Sequence, residues 1–251
     1  MKSNNHSIFA KIKNHNTTLK TKKIFLAAAI LSIQLSFAQF AKIVDKDGYV
    51  NLRENPDAKS KVTGKISSDE IVYASEPDAA NKNWINVYYN DKTSGYISTS
   101  KVKLLDSYET LLPITTDENK AVFKSGNIKV DIISEKFNYK ENKKFFSSSS
   151  YGGQKIEDQY KGKLIWGTDG TVPKTHYKSI TVQIRDKKIQ IPTKEIENLF
   201  NVSNQFTACY YDRKNDTLYI TMLNSDGAGS YVALFKIVKG VYKERIVKKP
   251  F

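Results

Sequence analysis

From Gln39 onward the apolar residues come in runs of a few residues, each soon closed by Gly, Asp, Asn or Pro. That spacing constrains the fold more than any other feature. A helix needs apolar residues at i, i+3, i+4 and i+7 over ten or more positions, whereas a half-buried strand needs only alternation over four to eight. Ile180, Val182 and Ile184 alternate with polar neighbours and meet Asp186-Lys187-Lys188 at once. The pattern predicts a mainly β chain. Of 251 residues, 39% are apolar and 12% aromatic, too many for a disordered polypeptide. The mean hydropathy is −0.50, and no apolar run reaches the length of a membrane-spanning helix.

The first 38 residues read differently. Lys20, Lys22 and Lys23 precede the apolar stretch Ile24 to Phe37, which ends in Ser36-Phe37-Ala38 before Gln39. A basic n-region, a short h-region and small residues three and one before a cut predict a secretory signal peptide over residues 1–38, cleaved after Ala38. The expected localisation is the periplasm or the extracellular space, with no stable membrane anchor after cleavage. No Cys follows the h-region to carry a lipid, and no twin Arg precedes it. Residues 1–19 are long and polar for an n-region.

The leader also changes the charge balance. Six of the forty basic residues lie within 1–38 and no acidic one does, which leaves 34 basic against 26 acidic residues in the remainder. A well-mixed excess of this size favours anionic partners in general and does not single out nucleic acid. The single Cys, Cys209, cannot form an internal disulfide, so an exported chain of this kind must be held by its core alone.

Turn residues divide the remainder near 105–119. Residues 39–105 contain five short runs of β type: Ala41 to Val44, Tyr49 to Leu52, Ile71 to Ala74, Trp84 to Tyr89 and Gly95 to Ile97. Asp47-Gly48 and Asn55-Pro56-Asp57 punctuate them as turns. Strands this short over so few residues predict a small barrel. Residues 106–119 are polar, with no sustained period, and read as a linker. Residues 120–251 predict a β-rich domain with hairpins at 180–191, 206–223 and 231–247. It has one short helix, capped by Thr193, with Ile196, Leu199 and Phe200 on one face. Val232 to Phe235 is apolar at every position, as expected for an inner strand.

The order of residues in the first segment resembles bacterial SH3-like domains. The resemblance is carried by Asp47-Gly48-Tyr49-Val50-Asn51-Leu52-Arg53-Glu54-Asn55-Pro56, Lys61-Val62-Thr63-Gly64, Ile71-Val72, Asn83-Trp84-Ile85-Asn86-Val87 and Ser94-Gly95-Tyr96-Ile97. It covers residues 41–104 and departs from the pattern in the polar connection Ser75 to Asn83. The resemblance implies a small β-barrel used as a binding module, in many cases by exported proteins that contact cell-wall peptides or glycans. Tyr49, Trp84, Tyr88 and Tyr96 are the candidate ligand-binding residues, since aromatic side chains offer rigid contact area at little entropic cost. Alternation puts Trp84 and Tyr88 on one face of their strand. Two readings of Trp84 stay open, groove lining and core filling, and Tyr49 and Tyr96 read as partly buried packing residues.

Catalytic chemistry finds few reactive groups. After the leader one Cys and one His remain, Cys209 and His176. A cysteine peptidase needs both together, but Phe206-Thr207-Ala208-Cys209-Tyr210 reads as a strand interior without the Asp-Cys-Ser-Gly context of cell-wall peptidases. One His is too few for a catalytic zinc. Thr168-Asp169-Gly170 and Asn224-Ser225-Asp226-Gly227 resemble the start of calcium loops but lack alternating acids and a closing Glu, so they read as tight turns. Residues 136–163, with Phe145, Phe146 and Tyr151, read as a loop over a binding face. No metal and no cofactor is expected. The sequence therefore predicts an exported, non-catalytic envelope protein that binds a cell-wall peptide, a glycan or a protein. The alternatives are an inhibitor or assembly factor acting through residues 120–251, and a hydrolase with an unrecognised site.

Overall fold

Alternation sets the first sheet. In the structure, a computed structural model that describes residues 39–90 and 92–250, seven strands span the first segment. They are β1 (Gln39–Ile43), β2 (Tyr49–Arg53), β3 (Val62–Ser67), β4 (Ile71–Pro77), β5 (Trp84–Tyr88), β6 (Ser94–Ser98) and β7 (Val102–Leu104). Their hydrogen-bonded order is β3-β2-β6-β5-β4-β1-β7, antiparallel throughout. A flat sheet would hold β3 and β4 about 19 Å apart, yet only Ser68–Glu70 joins them, a link that reaches about 14 Å. The sheet therefore curls, and Ala41, Ile43, Val50, Leu52, Ile66, Val72, Ala74, Ile85, Val87 and Ile97 pack together inside the curl. The expected closed barrel does not form. β7 pairs with β1 alone, and no ladder joins it to β3 among the described residues. The signal peptide expected over residues 1–38 lies outside the described residues.

The remaining strands form two larger sheets and a small one. β8 (Glu109–Thr110), β9 (Leu112–Thr116), β10 (Lys120–Ser125) and β11 (Ile128–Lys136) come first. A four-residue helix α1 (Tyr139–Asn142) leads to β12 (Phe146–Tyr151), β13 (Gln154–Tyr160) and β14 (Lys163–Leu164). Then follow β15 (Thr175–Ile184), β16 (Lys187–Gln190), β17 (Thr207–Asp212), β18 (Thr217–Asn224), β19 (Tyr231–Val238) and β20 (Val241–Lys248). The sheets run β16-β15-β11-β10-β9, β20-β19-β18-β17-β8 and β12-β13-β14. No described helix is long and apolar enough to cross a membrane.

The β20–β8 sheet is buried on both faces. On one, Cys209, Tyr211, Leu218, Ile220, Met222, Ala233 and Phe235 pack against Phe123, Val130, Ile132, Ile180 and Val182 of the facing sheet. On the other, Tyr219, Val232 and Leu234 pack against Phe40, Ile71, Tyr73 and Leu105 of the first segment. The uninterrupted apolar run Val232 to Phe235 has this cause, since each of its side chains meets one layer or the other. The described residues accordingly fall within one compact unit.

Three expectations change. Residues 106–119, expected as a linker, are built into both large sheets: β8 pairs with β17, β9 pairs with β10, and Leu111 between them is buried in the core. The expected helix after Thr193 is only a 3-10 turn, Thr193–Glu195. Ile196, Leu199 and Phe200 are buried as the pattern requires, but the chain there turns extended and bridges to Trp166 and His176. The short helix is α1, whose Asn138 cap accepts a hydrogen bond from the Glu141 backbone N–H. Finally, 136–163, expected as a loop, holds α1 and a hairpin of hydrogen-bonded strands over 146–160. It is pinned by an aromatic cluster in which the Phe137 and Phe200 rings lie 4.8 Å apart and those of Phe146 and Tyr160 lie 4.9 Å apart.

Candidate functional site

The curl of the first sheet leaves an outer face whose two halves meet different fates. Phe40, Lys42, Ile71 and Tyr73 point outward from β1 and β4 and are buried beneath the β20–β8 sheet. Further round the same face, β5, β6 and β2 remain uncovered. Alternation turns Trp84, Asn86 and Tyr88 outward while Ile85 and Val87 enter the core. Opposite them, β6 presents Ser94, Tyr96 and Ser98, and β2 presents Asn51 and Arg53.

The register brings these side chains level. Asn86 pairs with Tyr96, and Tyr96 with Arg53, so an amide, a phenol and a guanidinium cross three adjacent strands. Trp84 and Tyr96 are half-buried and Tyr88 is 47% exposed. Trp84 is thus a face residue and not a core filler. The Arg53 guanidinium is steadied by donating to the Ser60 carbonyl at 2.7 Å. Among these groups the Asn86 Oδ1 is shielded and has no donor. Tyr49 stands apart. It lies four residues from Arg53 along β2, about 13 Å away, and its ring is covered by the Lys65 ammonium at 4.1 Å. The aromatic group predicted from sequence therefore assembles as Trp84, Tyr88 and Tyr96, joined by Arg53 and Asn86, which alternation alone did not single out.

Gly95 makes this arrangement possible. A Cβ there would lie 2.7 Å from the Arg53 carbonyl oxygen and 2.9 Å from Leu52 Cγ. Only a residue without a side chain lets β6 approach β2 closely enough for Tyr96 to reach the level of Arg53.

A second concave feature lies in the C-terminal half. Residues 167–175, 201–206 and 225–227 line a cleft of 660 Å³. It unites the two turn fragments Thr168-Asp169-Gly170 and Ser225-Asp226-Gly227, which the sequence presents as unrelated. Gly167 is held against Phe200, where a Cβ would fall 2.2 Å from the carbonyl oxygen, and adopts a φ of +96° that only glycine accepts readily.

Cys209 and His176 do not form a catalytic pair. The Cys209 thiol is fully buried in the β17 core, and burial pushes its pKa far above the ordinary thiol value. His176 lies toward the surface with Nε2 3.5 Å from Glu135 Oε1. Burial lowers the imidazole pKa, opposed by the Glu135 carboxylate and assisted by the Lys178 ammonium. Among the described residues no three His, Cys, Asp or Glu side chains converge as a metal-holding set. Compared with known proteins, the chain matches no family model, no curated protein and no solved structure.

Proposed function

We propose that the protein is exported and acts as a non-catalytic binding protein of the bacterial envelope. In this reading residues 39–104 are an SH3-like module, and Trp84, Tyr88 and Tyr96 contact a cell-wall peptide or glycan or a protein. One observation carries it. The outer face of the first sheet is sealed by apolar packing over β1 and β4 and left open over β5, β6 and β2, and the open part holds the aromatic group with Arg53. Rigid aromatic area beside a fixed guanidinium suits recognition of a polymer bearing carboxylate groups.

Co-sedimentation with purified peptidoglycan tests the reading. The protein pellets at low salt, and Trp84→Ala reduces the pelleted fraction severalfold while its circular-dichroism spectrum stays that of the folded parent. Failure to pellet at low salt overturns it, as does undiminished pelleting of the Trp84→Ala variant.

A protein partner bound through the C-terminal half is the second reading, favoured by β9. This strand is the edge of its sheet and exposes Leu112 at 69% and Ile114 at 61%. A free edge with apolar side chains is a template for an added strand. Pull-down from envelope extract with the intact protein and with Ile114→Lys separates the two, because only edge pairing is lost in the variant.

A further inference from the structure

The 660 Å³ cleft of the C-terminal half falls within the range of about 300–1,000 Å³ usual for small-ligand sites. Its floor is fixed in advance. Asn201 Nδ2 and Ser225 Oγ both donate to the Gly167 carbonyl, at 2.6 and 2.9 Å, and the Lys174 N–H donates to Asn201 Oδ1 at 2.9 Å. The Ser225 N–H donates to the Asn201 carbonyl at 3.0 Å, tying the second loop to the first. Three non-glycine residues of the lining, Asp169, Asn201 and Ser225, hold left-handed backbone at φ of 44°, 47° and 60°. Such conformations gather where surrounding contacts over-determine the chain, and ligand sites are a common place for them.

The rim differs from the floor. Floor side chains are spent on backbone partners, while Asp169, Asp226 and Lys174 carry no ion pair or side-chain hydrogen bond among the described residues, and the Ser203 hydroxyl is likewise unengaged. Beside them Phe206 is 62% exposed, an aromatic ring next to the polar side chains of the rim. Two carboxylates accept hydroxyl hydrogens, an ammonium and a hydroxyl donate to ring or acyl oxygens, and an aromatic face takes the apolar C–H side of a sugar ring. A phosphate would meet the two carboxylates unfavourably. We propose that this cleft is a saccharide-binding site that seats a pyranose ring on Phe206 and hydrogen-bonds it through Asp169, Asp226, Lys174 and Ser203. The site is separate from the Trp84 face and does not rest on the function assigned to that face.

Calorimetric and NMR titration of the purified protein with chitotriose, cellotriose and maltotriose tests the proposal. At least one sugar saturates with a Kd in the millimolar range or tighter. Phe206→Ala and Asp226→Asn each weaken it about tenfold or more. Both side chains are exposed, so the unfolding midpoint holds. Trp84→Ala leaves this affinity unchanged, which keeps the test distinct from peptidoglycan pelleting. Saturation by none of the three sugars overturns the proposal. So does an affinity unaltered in Phe206→Ala, or occupation of the cleft by tri-alanine peptide in place of sugar.

Discussion

Lys42 Nζ and Asp212 Oδ2 lie 3.3 Å apart with both side chains buried, joining strands β1 and β17 across the seam between the first sheet and the β20–β8 sheet. Asp69 meets the same ammonium at 3.0 Å, and the Tyr108 and Tyr219 rings stack alongside at 5.9 Å. Burial by itself would lower the Lys42 pKa, but the hydrogen bond to Asp69, the two tyrosines and Asp212 outweigh it and hold the pKa above the ordinary lysine value. Removing one member of a buried pair strands the other charge, at about 3–5 kcal/mol. Asp212→Ala leaves Lys42 its Asp69 partner and is therefore expected to lose stability in urea unfolding by less than that full amount. The double variant Lys42→Met/Asp212→Leu is expected to lose less than the two single losses added together.

Acid acts on the same pair with a definite sign. Burial raises the Asp212 pKa, but hydrogen bonds from Asn215 and Lys42 reverse this and leave it below the ordinary carboxylate value of 3.8. The unfolded chain thus takes up the proton first. The stabilisation is present above pH 3.8 and is lost as pH falls through the lower folded value. Unfolding midpoints measured from pH 7 to pH 2 should fall below about pH 4, and Asp212→Asn should fall less steeply than the parent.

Because the seam is an apolar core and not a tether, its two sides should unfold together. The two tryptophans report on opposite sides, Trp84 on β5 and Trp166 beside Tyr231. Fluorescence-monitored denaturation of Trp84→Phe and Trp166→Phe follows one side each, and each should track the circular-dichroism transition of the same variant. A tryptophan transition displaced from the whole-chain transition would show that the seam does not couple them.

Much of this architecture is legible in the sequence, and the failures share a cause. The hairpins at 180–191, 206–223 and 231–247 could be read because their strands lie on a deep core, the first alternating cleanly and the last carrying the uninterrupted apolar run Val232 to Phe235. β3 could not, since Ile66 is its one buried side chain and its other apolar residue, Val62, is exposed. β12 is a run of serines between two aromatics. The false helix after Thr193 arose because Ile196, Leu199 and Phe200 are all buried, and turns can bury residues at helical spacing as well as helices can. Of the candidate sites, Trp84 and Tyr88 followed from alternation, whereas Arg53 entered through strand register. Asp169 and Asp226 entered through the meeting of two distant loops, which no local pattern encodes.

His176 gives a spectroscopic check on the C-terminal half. Burial against Phe137 depresses its pKa and Lys178 adds to this, with Glu135 pulling the other way. It is the sole imidazole after residue 38. In a proton NMR titration its ring resonances should move with a midpoint below 6.5, and Glu135→Gln should move that midpoint lower still by removing the opposing charge.

The sharpest test of the open face is at Gly95. Alanine there places its Cβ 2.7 Å from a backbone oxygen, which cannot turn aside as a side-chain tip could, and 2.9 Å from the buried Leu52. Either β6 withdraws from β2 or Leu52 leaves its place in the core, and overpacking of this kind costs about 1–3 kcal/mol. Gly64 on β3 supplies the control, because it flanks β2 from the other side and its nearest neighbour there is Leu52 Cδ2 at an unstrained 3.9 Å. Gly64→Ala should therefore unfold close to the parent in urea, and Gly95→Ala well before it. Withdrawal of β6 also carries Tyr96 off the level of Arg53. The amide resonances of Arg53, Asn86 and Tyr96 should then shift together in Gly95→Ala and hold still in Gly64→Ala. Loss of stability with those three resonances unmoved would mean that the close approach supports the core without shaping the face.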